Sequence, residues 1–282
     1  EGGGPLSGIT PEDKKQYDAL QQELATLDHL KPQPLPQLTT ASDFPGPTSP
    51  TLLPNSEGQT PIEPGFLTVL SHQPIGAAPS FPSLPQSTGR RTALAEWIGR
   101  PDNPLTTRVI VNRIWQEHFG QGIVATANDF GRTGQLPTHP QLLDWLTVTF
   151  VEDGWSMKRL HKRILMSATW QQSACHPRAA EYQRRDPADR LLWRARIRRL
   201  KAEPIRDAML AISGELQSQL GGPSVDGQTP RRSLYVKSFR NTPDEFLAAF
   251  DATGGLHSVA QRNITTTPTQ SLLMINGAYA LG

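Results

Sequence analysis

Between Pro32 and Pro85 the chain carries 13 of its 26 prolines, and that density constrains the fold more than any other feature of the sequence. Each proline removes a backbone donor and clashes with the preceding helical turn, so neither a regular helix nor a central strand can cross the segment. Charge is low there, and apolar residues (Phe44, Leu52, Leu53, Phe66, Leu67, Val69, Leu70, Phe81) are scattered along it. The segment is expected to lie extended and to wrap a helical body, with a short strand over Phe66–Leu70; a plain linker is the alternative.

Helical signals lie on both sides of it. Thr10-Pro11-Glu12-Asp13 has the form of an N-cap, a proline at the first helical position and an acid at the third, and Tyr17, Leu20, Leu24 and Leu27 follow at helical spacing. One amphipathic helix over 11–29 is predicted. Beyond Gly89, helices are expected at 91–99, at 106–119 and after a Thr138 to Gln141 capping box, the last carrying Leu142, Leu143, Leu146 and Phe150. Gly154-Trp155-Ser156 breaks and recaps the chain before a stripe of Met157, Leu160, Ile164 and Leu165. Two further helices are predicted at 189–199 and 204–220, and a last one after the capping box Thr267 to Gln270. Only Leu234–Phe239 favours a strand. The resulting fold class is mainly α, an irregular multi-helix domain with a few short strands. Its divisions are an N-terminal helix (1–30), the proline-rich segment (31–89) and a helical domain (90–282).

The composition narrows the function classes. No window reaches the 18 or so apolar residues of a membrane helix, and EGGGPLSG is no export signal. The chain starts without Met and stops inside an apolar run, so it reads as a piece of something longer, truncated at its C-terminus. The single cysteine, Cys175, excludes an internal disulfide and a multi-thiolate metal site. No HExxH, GxSxG, P-loop, dinucleotide glycine fingerprint or CxxCH is present, and the seven histidines lack ligand spacing; no metal site is expected. The net charge is +2, yet Lys158 to Lys201 holds 13 Lys and Arg against three acids, about +10 locally. Such a block can steer an acidic partner domain or an acidic polysaccharide, or neutralise the acidic remainder of the same chain. No nucleic-acid motif accompanies it.

Candidate site residues fall on apolar helices. In VIVNRIWQEHF (109–119), a helical wheel places Ile110, Val111, Ile114, Trp115 and Phe119 on one half with His118 between Ile114 and Val111, so its imidazole should point inward. It is either a hydrogen-bonded core histidine or an acid, base or ligand lining a cleft, with Asp129, Arg132 and His139 of DFGRTGQLPTH as the expected neighbours. On the helix after 204, Ile205, Ala208, Met209, Ile212 and Leu216 form the expected core stripe, and Glu203, Arg206 and Asp207 share the other face. Two carboxylates bracketing a guanidinium could do acid–base work, or Arg206 could simply bridge both. Arg231, Arg232, Tyr235, Arg240, Asp251, Arg262 and Gln270 make a donor-rich C-terminal region, able to clamp an anion or to tie loops to helix ends.

The runs RRTALAEWIGRPDNPLTTRVIVNRIWQEHFGQGIVATANDFGRTGQLPTHPQLLDWL, SATWQQS, RLLWRARIRRLKAEPIRDAMLAISGEL, RRSLYV and QSLLMIN resemble the planctomycete-specific domain, also called domain of unknown function 1553. Pro204 stands where the family's AEAIRDA-like motif has a helix-friendly residue. The resemblance implies the C-terminal module of a large exported protein, behind a cytochrome c-like domain and a second uncharacterised domain, in the periplasm or at the cell surface. Haem would belong to that other domain, so no cofactor is expected in this chain. The family carries over no catalytic residue. Binding, to another domain of the same polypeptide or to an acidic glycan, is the leading expectation. An enzyme acting on complex carbohydrate around His118, Asp129 and His139 is the alternative.

Overall fold

The computed structural model describes residues 10–30, 51–54, 61–62, 65–67, 88–255 and 257–277. The chain divides into two compact units, Glu1–Pro50 with Pro82–Thr88, and Thr51–Phe81 with Gly89–Gly282. In the first, α1 spans Pro11–Thr26 and a 3-10 turn follows at Asp28–Leu30. The Thr10 hydroxyl accepts the Asp13 N–H, as the cap signal requires. Tyr17, Leu20, Leu24 and Leu27 are exposed.

The second unit is mainly α. It holds α2 (Arg90–Gly99), α3 (Thr106–Phe119), α4 (Pro140–Glu152), α5 (Met157–Leu165), α6 (Ala168–Gln171), α7 (Ala179–Arg185), α8 (Ala202–Ser213), α9 (Glu245–Ala249) and α10 (Pro268–Asn276). The described strands are β1 (Thr51–Leu52) and β2 (Pro61–Ile62), antiparallel with Thr51 opposite Ile62. No strand forms at Phe66 and Leu67, and residues 68–70 lie outside the described residues. Phe66 instead stacks on Trp97 of α2, ring centroids 5.1 Å apart, which anchors this part of the proline-rich segment to a helix. Phe44, Val69, Leu70 and Phe81 also lie outside the described residues.

The main core gathers Val111, Ile114, Trp115 and Phe119 of α3, Ile123 and Val124, Leu143, Leu146 and Phe150 of α4, and Leu160 and Ile164 of α5. Burying each of these larger side chains contributes about 1.5–3 kcal/mol, so the three helices hold one another. The α4–α5 corner is a Schellman motif: Gly154 (φ +70°) donates to Val151 O, Trp155 donates to Phe150 O, and the Phe150 and Trp155 rings meet at 5.5 Å. Ser156 then accepts the Arg159 N–H to restart the chain as α5. A second, smaller core joins Ala202 of α8 to Phe246 and Phe250, with Leu273 of α10 beside them. The expected capping box at Thr267 and Gln270 is complete.

Four further sequence expectations about secondary structure need correction. Residues 189–199 form no helix, because Asp189 and Leu192 take left-handed φ values of +51° and +55°. The buried Asp189 carboxylate accepts the Trp193 N–H and pairs with Arg196 at 3.1 Å, and Asp186 accepts the Leu191 N–H; side-chain bonds replace the helical ladder. The helix expected at 204–220 starts at Ala202 and stops at Gly214 (φ +83°). Pro204 is tolerated because it sits in the first turn, where N–H groups have no helical partner. At 234–239 no strand forms: a 3-10 turn, Ser233–Tyr235, takes the first two positions, where the Asp207 carboxylate takes the Ser233 N–H at 2.7 Å, and Val236 makes only an isolated bridge with Val225. Finally, Thr138 does not cap α4. Its N–H and hydroxyl both donate to Ile123 O, and His139 becomes an N-cap without a side-chain bond.

Candidate functional site

His118 is half-buried, as its helical position implies, on a helix whose Trp115 is buried. Its partners are not the expected ones. Nε2 hydrogen-bonds Nδ1 of His161 on α5 at 2.7 Å, and Trp170 of α6 stands edge-on to the ring with centroids 5.2 Å apart. Burial first, then the neighbouring His161 and Arg198, holds the His118 imidazole below its ordinary range; Glu117 opposes them. Among the described residues neither ring bonds a carboxylate or hydroxyl. Neither imidazole is thus oriented by an acid or paired with a hydroxyl nucleophile among the described residues. His161 was missed in the sequence although it precedes Ile164 by three positions, on the same side of α5.

The DFGRTGQLPTH loop is knotted on itself instead of reaching His118. Asp129 accepts the Thr133 hydroxyl at 2.7 Å and the Gly131 N–H at 2.8 Å, and these two bonds hold its carboxyl below the usual carboxylate range. The Thr126 hydroxyl donates to Asp129 O and accepts from Gln135 N. A Cβ on Gly134 would lie 2.1 Å from Asp129 O, so only glycine fits that approach. Arg132 is exposed and forms no ion pair among the described residues, and His139 Nδ1 bonds Thr138 Oγ1 at 2.9 Å. The expected constellation of His118, Asp129, Arg132 and His139 is thus not assembled by the bonds these residues make.

On α8 the buried stripe is Ala202, Arg206 and Leu210, and Ile212 is exposed, a correction to the expected core face. Arg206 does not bridge both neighbouring acids: it pairs with Asp207 alone. Fully buried, it donates to the carbonyls of Gly227 (2.6 Å), Thr229 (2.8 Å) and Arg231 (2.7 Å), with Asp207 at 3.8 Å. Glu203 is engaged by Arg262 at 2.7 Å, and Asp207 by Ser233 N–H and, at 3.7 Å, by Arg232. The two carboxylates are held by separate partners, not shared as a dyad. Arg231 is buried as well: it donates to the carbonyls of Gln219, Gly221 and Pro223 and lies over the Tyr235 ring at 4.1 Å, while the Tyr235 hydroxyl accepts the Gly221 N–H. Arg206 and Arg231 thus pin the loops on either side of residue 225 to α8, the loop-tying alternative. Arg240 is exposed, and Gly255 packs near its stem.

The basic block is neutralised only in part: seven of its 13 cations are ion-paired, and they share five carboxylates. Arg159 and Arg163 pair with Asp153, Arg178 and Arg185 with Glu181, Arg196 with Asp189, Arg199 with Asp251 and Lys201 with Glu117. Its C-terminal end nevertheless lines a cleft of about 1000 Å³. One wall is Arg196–Ala202, the other Val259–Ile264, with the end of α3 (Arg113, Gln116, Glu117) and Phe250–Asp251 between them. Arg113, Arg196, Arg198, Arg199, Lys201 and Arg262 face two carboxylates, Glu117 and Asp251. Arg198 donates to Glu117 O and His118 O at 3.0 and 2.6 Å, completing the C-terminus of α3. Arg113 donates to Asn128 Oδ1 at 2.5 Å. Neither has a carboxylate partner among the described residues. Asp251 is held low, chiefly by the Thr265 N–H, then by the Thr265 hydroxyl and Arg199. Among the described residues no three His, Cys, Asp or Glu side chains gather as a metal site, and no helix is long and apolar enough to cross a membrane.

Fold and site together define a mainly helical module in which buried arginines tie the loops and a basic cleft opens between two irregular segments. The chain belongs to the PSD1 family, proteins of unknown function (DUF1553), whose profile matches residues 90–282. No curated protein matches the chain, and neither does any solved structure.

Proposed function

We propose that the module binds an acidic polypeptide, in the first place another domain of its own protein, in the cleft between Arg196–Ala202 and Val259–Ile264. The observation that carries this reading is the convergence of six cationic side chains on one cleft, with Arg113 and Arg198 lacking a carboxylate. Their excess charge raises the local concentration of an anionic partner. The exposed apolar side chains in the cleft walls are aliphatic (Ile197, Leu200, Val259, Ile264). That favours a polypeptide over a sugar chain, which would stack on aromatic rings. The extracytoplasmic setting and the cytochrome c-like companion domain implied by the family resemblance belong to the same proposal.

Binding of polyglutamate, followed across a salt gradient with polygalacturonate and heparin in parallel, tests it. Polyglutamate should bind, weaken steeply as salt rises, and lose at least tenfold on Arg198→Glu with folding confirmed by circular dichroism. Salt-insensitive or absent binding of polyglutamate overturns the reading, as does binding of the polysaccharides alone.

A further inference from the structure

We infer that the acidic partner enters the cleft as an extended strand, pairing its backbone with residues Arg196–Leu200. This rests on the reading that the cleft holds an acidic polypeptide. From Ala195 to Lys201 the chain runs without turn or bend. Its ends are fixed: Ala195 N–H donates to Ser173 O at 3.1 Å, the Arg196 guanidinium is held by Asp189 and Gln121, and Lys201 is extended and accepts the Ile205 N–H at the start of α8. Between these anchors, among the described residues, no hydrogen bond reaches any backbone N–H or C=O of Arg196 to Leu200.

An anchored, straight and unpaired segment is the edge that strand addition uses. At about 3.3 Å per residue its five positions span about 16 Å. Ile197 is 90% and Leu200 59% exposed, so aliphatic surface lies beside the free backbone with nothing on it. Side chains on a straight segment alternate in direction: Arg196 and Arg198 reach towards the end of α3, whereas Ile197 does not join them. An incoming strand with acids opposite Arg196 and Arg198 and an aliphatic residue opposite Ile197 matches these three positions, while the same alternation puts Leu200 on the arginine side and Arg199 beside Ile197. Backbone pairing would supply affinity, and the alternation would supply selectivity.

The probe is an acetylated and amidated (Glu-Val)5 peptide, with two N-methylated versions that block alternate backbone edges while keeping every charge. The full chain should bind (Glu-Val)5 at least tenfold more tightly than polyglutamate per site. One N-methylated series should lose at least tenfold and the other should not. Amide exchange at Ile197–Leu200 should slow in the complex. Ile197→Pro, which removes one N–H at an exposed position and no charge, should lose tenfold with an unchanged melting temperature; if that variant unfolds, the N-methylated pair decides. Equal binding of all three peptides, unchanged exchange at Ile197–Leu200, or no gain over polyglutamate overturns strand addition. Polyglutamate binding that persists in those cases leaves the acidic-partner reading standing, and its absence removes both.

Discussion

Asn112 holds both polar groups of Val124: its side-chain oxygen accepts the Val124 N–H at 2.8 Å and its amide donates to the Val124 carbonyl at 3.0 Å, in a site fully closed to solvent. The loop leaving α3 is thereby fixed to the middle of that helix. Asn112→Leu keeps the branched shape but strands two buried backbone groups, so it should destabilise the chain by about 2–4 kcal/mol. Gly122→Ala should destabilise too, because a Cβ there would stand 2.6 Å from both the Asn112 amide and Val124 O. Urea unfolding of the two variants measures both effects; a loss under about 0.5 kcal/mol for Asn112→Leu would remove the role assigned to this side chain.

Where apolar spacing and turn residues act locally, the sequence was readable. The 106–119 helix, the Gly154–Ser156 break and the Thr267 box depend on neighbours within four residues, and all three form. Around 189–199 the failure is local, with Asp186 and Asp189 bonding backbone five and four residues on, but elsewhere a polar side chain bonds backbone far away in the chain. Asp207 reaches residue 233 and Arg206 reaches residues 227–231. A helical wheel assigns such residues to the polar face, because it cannot see the loop that returns to cover them. His118 was placed on the correct face for a local reason, but its partner lies on α5, and no spacing rule pairs positions 43 apart.

Arg206 carries the largest single prediction for the second unit. Its buried guanidinium satisfies three carbonyls at once, and a lysine has neither the planar fork nor the reach to replace it. Arg206→Met should cost about 3–5 kcal/mol, and Arg206→Lys should recover less than half of the loss. Amide exchange and proteolysis should rise first at residues 217–236, the loops that Arg206 and Arg231 pin. A variant that melts with the wild-type midpoint would contradict this account.

His118 makes stability depend on pH in a defined window. The folded His118 ring is held below its ordinary value of 6.5, so the unfolded chain takes up its proton first as pH falls. Between 6.5 and the lower folded value the unfolded state binds more protons, and stability therefore declines as pH drops through that window and is level above it for this group. Asp129 and Asp251 act elsewhere: both are held below their ordinary 3.8, so their contribution is present above that value and is lost as pH falls through the folded one. Melting curves between pH 4.5 and 8 should show the first slope in the wild type and a flatter one in His118→Gln. An identical slope in both would assign it to another group.

Arg198 links that titration to the cleft. Its guanidinium bonds the last carbonyls of α3, including that of His118, and its charge is one cause of the lowered imidazole. Arg198→Gln removes the charge while keeping a donor, so the His118 midpoint should move up towards 6.5. Glu117 acts in the opposite direction, and Glu117→Gln should move it further down. The helix end loses a favourable cation at its negative pole in Arg198→Gln, a destabilisation of about 0.3–1 kcal/mol, small enough for both variants to be titrated folded. Proton NMR of the imidazole signals reads the midpoints directly. Because Arg198 also lines the cleft, an acidic peptide bound there should draw on the same charge and raise the His118 midpoint in the wild type more than in Arg198→Gln. Equal shifts in the two proteins would separate the histidine pair from the cleft.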